Sequence, residues 1–166
     1  SKAKILDTRK SFVEVIKKIN ACPPAIYNSA EVIIFMSAVL NYKRMNSVEL
    51  TDYLNKVLSN KKISPYNNFV LKPHPREDLD QLKNIVNKNF NNQIVIADVS
   101  PVEIYFPLIN PKVLAGMPTT AILYHYFISN NSADYILFPM KGLKYLDRQI
   151  NVFKKILSKN IDVLFL

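Results

Sequence analysis

Residues 68–97 read NFVLKPHPREDLDQLKNIVNKNFNNQIVIA, and the change of period along them decides the fold. Asn68 to Lys72 is a short apolar run, which the prolines of Pro73-His74-Pro75 break. From Asp78 to Phe90 the apolar residues Leu79, Leu82, Ile85 and Val86 return at helical spacing. Gln93 to Ala97 is then a second β-rich run. Strand, helix and strand so closely spaced describe a βαβ unit with parallel strands.

The same alternation extends outward in both directions. Upstream, Glu31 to Ala38 is an apolar, β-rich run, and Ser47 opens a helix through Leu50, Tyr53, Leu54, Val57 and Leu58. Downstream, Ser100 starts a third helix, Lys112 to Ala115 is a fourth strand and Thr119 to Ser129 a fourth helix. Tyr135 to Phe138 is a fifth strand, and Leu146 to Lys159 a final helix. Before all of these, Phe12, Val15, Ile16 and Ile19 mark an amphipathic helix from Thr8 to Asn20, which Cys22-Pro23-Pro24 ends. The expected fold is α/β: a doubly wound, Rossmann-like, mostly parallel sheet of about five to six strands.

Composition bounds what such a chain does. Its 166 residues, 49% of them hydrophobic, fit one compact domain or a short linker plus one, and exclude a disordered tail. Two glycines and ten scattered prolines exclude collagen-like and linker-like chains. A lone cysteine, Cys22, has no internal disulfide partner, and no leader-like segment opens the sequence, so the expectation is a cytoplasmic protein. The longest apolar stretches, Val32 to Phe35 and Ala121 to Tyr124, fall far short of the ~20 residues a membrane helix needs. The net charge of +9 favours anionic partners, whether nucleic acid, nucleotide-type substrates or an acidic membrane surface. Only Arg9, Arg44, Arg76 and Arg148 are arginines, and the excess of Lys, Asn and Ile has the look of AT-rich coding, so part of that charge carries no message. No helix has the clustered basic residues of a nucleic-acid recognition element, and the Tyr and Phe residues fall mainly at core spacing.

Ligands of doubly wound sheets sit outside the carboxyl ends of the strands. The segments to read for chemistry are therefore Ser37–Asn46, Pro73–Asp78, Asp98–Pro101, Gly116–Thr120 and Pro139–Gly142. His74 stands in the second, held between two prolines with Lys72 and Arg76 beside it. An imidazole there could donate to a phosphate oxygen or move a proton near neutral pH; the plainer alternative is packing in a Pro-rich turn. In Gly116-Met117-Pro118-Thr119-Thr120, a tight turn leads two hydroxyls into a helix start, an anion site by construction. The plainer alternative is that Thr119 caps the helix. Glu103 lies three residues after Ser100 with Pro101 between them, the spacing of a capping box, and gains a ribose-binding role only if a nucleotide binds nearby. His125, among Tyr124, Tyr126 and Phe127, reads as a packing residue.

Other chemistries drop out. One Cys and two separated His offer no zinc spacing, and two glycines build neither a Walker loop nor a dinucleotide fingerprint. A phosphoacceptor receiver would use Asp98, Lys141 and Thr119 or Thr120, yet Phe35-Met36-Ser37-Ala38-Val39 lacks the acidic pair that holds its Mg²⁺.

At Lys72-Pro73-His74-Pro75, followed by Gly116-Met117-Pro118-Thr119-Thr120, the chain resembles the bacterial lipooligosaccharide sialyltransferases and, more distantly, the bacterial polysialyltransferases. The resemblance spans roughly Glu31 to Lys159. It implies a GT-B enzyme of two Rossmann-like halves, with residues 31–166 as the carboxyl-terminal, donor-binding half and residues 1–30 as interdomain helix and linker. The acceptor-binding half would lie outside this sequence. On this resemblance His74, of the HP motif, hydrogen-bonds the phosphate of CMP-sialic acid and assists departure of CMP, while Pro75 shapes its loop. Thr119 and Thr120 take the place of a Ser/Thr pair on that phosphate, Gly116 makes the turn before them, and Glu103 matches a donor-site carboxylate. The implied reaction is an inverting, metal-independent transfer, without a cofactor, to a glycan acceptor of lipooligosaccharide or capsule type. The implied partners are CMP-sialic acid or a related nucleotide sugar and a glycan acceptor; an anionic membrane surface and a second copy of the chain are further candidates. Family members carry an acidic, Gly-containing stretch after the first strand, associated with the catalytic base, whereas Leu40-Asn41-Tyr42-Lys43-Arg44-Met45 has no carboxylate. The base is thus unassigned. The alternatives are a transferase with another phosphate-linked donor and a noncatalytic nucleotide-binding or interaction domain.

Overall fold

The structure, a computed structural model, describes residues 10–12, 14–16, 18, 22–129, 133–140, 144–157 and 161–165. Six strands, β1 (Val32–Phe35), β2 (Phe69–Lys72), β3 (Ile94–Ile96), β4 (Val113–Gly116), β5 (Asp134–Leu137) and β6 (Ile161–Val163), form one sheet in the order β3-β2-β1-β4-β5-β6. Every pairing is parallel. The helices are α1 (Ala25–Asn28), α2 (Ser47–Leu58), α3 (Leu79–Phe90), α4 (Thr120–Ile128) and α5 (Lys144–Leu157).

Alternation along β1 explains the layering. Val32 and Ile34 pack with Leu50 and Leu54 of α2 and Leu82 and Val86 of α3, whereas Ile33 and Phe35 pack with Phe106, with Ile122 of α4 and with Phe153 of α5. Because both faces are covered, β1, β2 and β4 are buried along their whole length, and their sequences are almost uniformly apolar. The chain steps outward from β1 to β3, returns to β4 on the other side of β1, and steps outward again to β6. The sheet therefore reverses between β1 and β4, where a crevice opens at the strands' carboxyl ends.

Local chemistry sets the helix boundaries. Asn46 caps α2: its side chain accepts from Val48 and Glu49 N–H, and the Glu49 carboxylate accepts from Asn46 N–H at 2.8 Å. Asp78 caps α3 by accepting from Gln81 N–H, and Asn91 ends it in the left-handed conformation at φ 43°. Gly116 closes β4 at φ +112°, where a Cβ would stand 2.2 Å from the Phe35 carbonyl oxygen. Only glycine fits there.

Three expectations need correcting. The third helix is a single 3₁₀ turn, Glu103–Tyr105, because Pro107 and Pro111 prevent it from continuing. The Ser100–Glu103 capping box does not form: Asp98 Oδ1 takes the Ser100 N–H at 2.9 Å, and the turn carries no side-chain cap. In the amphipathic segment Ile16 is buried but Val15 is 52% exposed, so its apolar face is narrower than its periodicity implies. Ile19 lies outside the described residues. The receiver alternative also fails on topology, since such folds run 2-1-3-4-5 and here β3 is an edge strand beyond β2. Its Lys141 lies outside the described residues.

Candidate active site

A cleft of about 260 Å³ opens at the point where the strand order reverses. Its walls come from the end of β1 (Phe35, Met36), from Lys72 to Pro75 after β2, from Val99 and residues 101–103 after β3, and from Thr119 to Ala121 after β4. Three segments, far apart in sequence, thus bring His74, Pro75, Glu103, Thr119 and Thr120 around one space. Gly116 does not line the cleft; it ends β4 against Phe35, and Met117 N–H bonds to the Phe35 carbonyl at 2.9 Å, which draws the turn before α4 onto β1. Asp98 and the described part of the segment after β5 do not line the cleft.

His74 has a defined tautomer. Arg76 N–H donates to its Nδ1 at 3.1 Å, so the ring proton resides on Nε2. Burial lowers its pKa from the ordinary 6.5, the Arg76 and Lys72 cations lower it further, and the Glu77 carboxylate opposes them. At neutral pH the ring is therefore a neutral N–H donor. It gains acidity only when an anion in the cleft favours the imidazolium.

Thr119 occupies the N-cap position of α4 in extended conformation, yet its side chain makes no cap hydrogen bond. Its Oγ1 is buried with no partner. A buried hydroxyl without a protein partner costs free energy, and this one belongs to a residue that lines the cleft at the start of α4. Thr120, exposed, begins the helix. Glu103, freed from the capping box, is partly buried at the opposite wall. Tyr27 is buried behind it with its own hydroxyl unpartnered; burial raises its pKa, and Asp98 and Glu103 raise it further.

Two contributors escaped the sequence reading. Lys72 is 5% exposed at the end of β2, and its Nζ donates to the carbonyls of Asp98 (3.0 Å) and Pro73 (3.2 Å). Burial lowers its pKa against the pull of Glu103 and Asp98, which leaves a desolvated ammonium in the cleft wall. The other is Glu77, whose carboxylate reaches into the loop after β1. The Lys in KPHP was visible as a neighbour of His74; nothing local marked Glu77. His125, by contrast, packs as expected: its Nδ1 lies 3.0 Å from the Tyr135 hydroxyl and its ring meets Phe106 edge-on. Among the described residues, no three His, Cys, Asp or Glu side chains come together in a way that could hold a metal ion.

The sequence model of the alpha-2,8-polysialyltransferase (POLYST) family matches residues 7–137. The chain belongs to the alpha-2,8-polysialyltransferase family. The match runs from before α1 to the end of β5 and includes every cleft residue named above. This polysialyltransferase-family chain is accordingly a sialyltransferase-like glycosyltransferase domain, and the family implies a nucleotide-sugar donor and a glycan acceptor. No curated protein and no solved structure matches it. Among its described residues, no helix is long and apolar enough to cross a membrane.

Proposed function

We propose that this domain is the donor-binding half of a GT-B sialyltransferase, that residues 31–166 form its nucleotide-sugar site, and that residues 1–30 are the interdomain helix and linker. The donor is CMP-sialic acid and the reaction is transfer with inversion to a glycan of lipooligosaccharide or capsule type. The observation that carries this reading is the cleft where the strand order reverses, which His74, Glu103, Thr119 and Thr120 all line at the start of α4.

In the proposed reaction an acceptor oxygen bonds to the anomeric carbon as the bond to CMP breaks, and the electron pair leaves on the phosphate. Charge therefore develops where His74 Nε2–H, the Thr119 and Thr120 hydroxyls, the α4 N-terminus and the Lys72 ammonium converge, so no metal is needed to neutralise it. Glu103 accepts the ribose hydroxyls. The acceptor's proton needs a base, which we assign to the acceptor-binding half, because Leu40–Met45 has no carboxylate and the lone pairs of Glu77 are occupied by N–H groups. We place this transfer in the cytoplasm, where the net charge of +9 suits peripheral contact with an anionic membrane.

Calorimetric titration of the chain with CMP, UMP and AMP tests the reading. CMP should bind and raise the melting temperature, by about 2.7 kcal/mol of added stability at a hundredfold excess over Kd. Equal binding of all three would point to a different phosphate-linked donor, and no binding to a noncatalytic domain.

A further inference from the structure

The Glu77 carboxylate is 8% exposed and accepts backbone N–H groups from two loops. Its Oε2 accepts from Val39 (2.8 Å) and Leu40 (3.4 Å), and its Oε1 from Asn41 (3.0 Å) and from its own neighbour Asp78 (3.0 Å). Val39 and Leu40 are core residues directly after the end of β1, and so form a fixed wall. On the other side, Glu77 N–H donates to the His74 carbonyl at 2.9 Å, which closes a four-residue turn whose first residue is His74. Inside that turn Arg76 N–H meets His74 Nδ1, and at its surface Arg76 Nη1 donates to the Tyr42 hydroxyl at 3.1 Å.

We infer that Glu77 is the positioning residue of the HP turn: by clamping it to the loop after β1, it holds His74 in the Nε2–H tautomer with that donor directed at the donor phosphate. The inference rests on the donor-site reading only for the identity of the anion. The Glu77 carboxylate accepts four charge-assisted bonds that are buried or partly buried, whereas Arg76 and Tyr42 share one at the exposed surface, so Glu77 ties the turn down far more firmly. Amide replacement shows why the charge matters. A Gln at this position keeps one oxygen for one pair of N–H groups and turns an NH₂ against the other pair, donor against donor.

The test is ¹⁵N NMR of the imidazole nitrogens in the labelled chain, together with calorimetric titration of CMP and cytidine. Wild type should show His74 with a pyridine-type Nδ1 and a protonated Nε2. In Glu77→Gln both nitrogens should move toward the average of two tautomers. CMP affinity should fall roughly tenfold, the loss of about one hydrogen bond, while cytidine affinity changes little. Glu77→Asp keeps the charge with a shorter reach and should shift in the same direction by less, whereas Tyr42→Phe should leave the ring nitrogens unchanged. A wild-type His74 protonated on Nδ1, or a Glu77→Gln protein that is folded with wild-type ring shifts, overturns the inference. Should wild type bind no CMP, the donor-site reading fails, and the ring shifts alone decide for or against Glu77.

Discussion

Replacing Thr119 by Val should stabilise the fold and weaken the ligand, two effects of opposite sign from one atom. The side chains are nearly isosteric, and the β-branched Val accepts the extended backbone at φ −129°, ψ 151° that Thr119 adopts. An ordinary N-cap Thr contributes about 1 kcal/mol through its bond to the first turn, but Thr119 makes no such bond. Its Oγ1 is instead buried unpartnered, which costs about 1–3 kcal/mol when no ligand is bound. Removing the hydroxyl should therefore raise stability by about 1 kcal/mol, an increase in Tm of roughly 2–4 °C for a chain of this size. In the proposed CMP complex the same hydroxyl would meet a charged phosphate, an interaction worth about 1.5–3 kcal/mol, so CMP affinity should fall by roughly 10- to 150-fold. Cytidine, which lacks the phosphate, should bind both proteins alike. Differential scanning calorimetry and titration calorimetry read the two effects separately. A lower Tm with unchanged CMP affinity would make Thr119 a cap and refute the argument.

Other outcomes follow from the same structure. Gly116→Ala puts a Cβ 2.2 Å from the Phe35 carbonyl at a positive φ, so urea denaturation should show a loss of at least about 3 kcal/mol or no folded protein. His125, fully buried, has its pKa pushed down from 6.5 to about 4 by burial. The unfolded chain binds the proton first, so stability is fully present above pH 6.5 and declines as pH falls toward 4, by on the order of 3 kcal/mol; His125→Phe should flatten urea midpoints across that window. On the proposed mechanism, in an active transferase containing this domain His74→Ala should lower kcat by about 10²–10⁴-fold with little change in donor KM, because charge on a departing CMP would grow only in the transition state. His74→Asn should restore little of that loss, and near-complete rescue would reduce the ring to an N–H donor.

How much of this was written in the chain can be judged element by element. Periodicity alone located β1 to β5 and helices α2, α3, α4 and α5 to within a few residues, because burial on both sheet faces and on one helix face imposes different repeats on neighbouring segments. It was also enough to place His74, Thr119 and Glu103 after different strands, and a doubly wound sheet gathers such segments at one edge. Short β6, the 3₁₀ turn at Glu103 and the unformed capping box were not legible: Ser100 and Glu103 have the right spacing, and only the competing acceptor Asp98 and the two later prolines decide against them. Whether Thr119 caps its helix is likewise a matter of rotamer and packing, which the dipeptide Thr119-Thr120 cannot express. Glu77 shows the limit most clearly. Three of its four donors lie 36 to 38 positions earlier, in a loop with no acidic residue of its own, and the carboxylate reaches them only because β1 and β2 pair in parallel register. Local repeats fix which residues point inward, since they act over one turn or one pleat; which buried polar atoms find a partner depends on chain segments brought together by the sheet, and tertiary structure alone decided it.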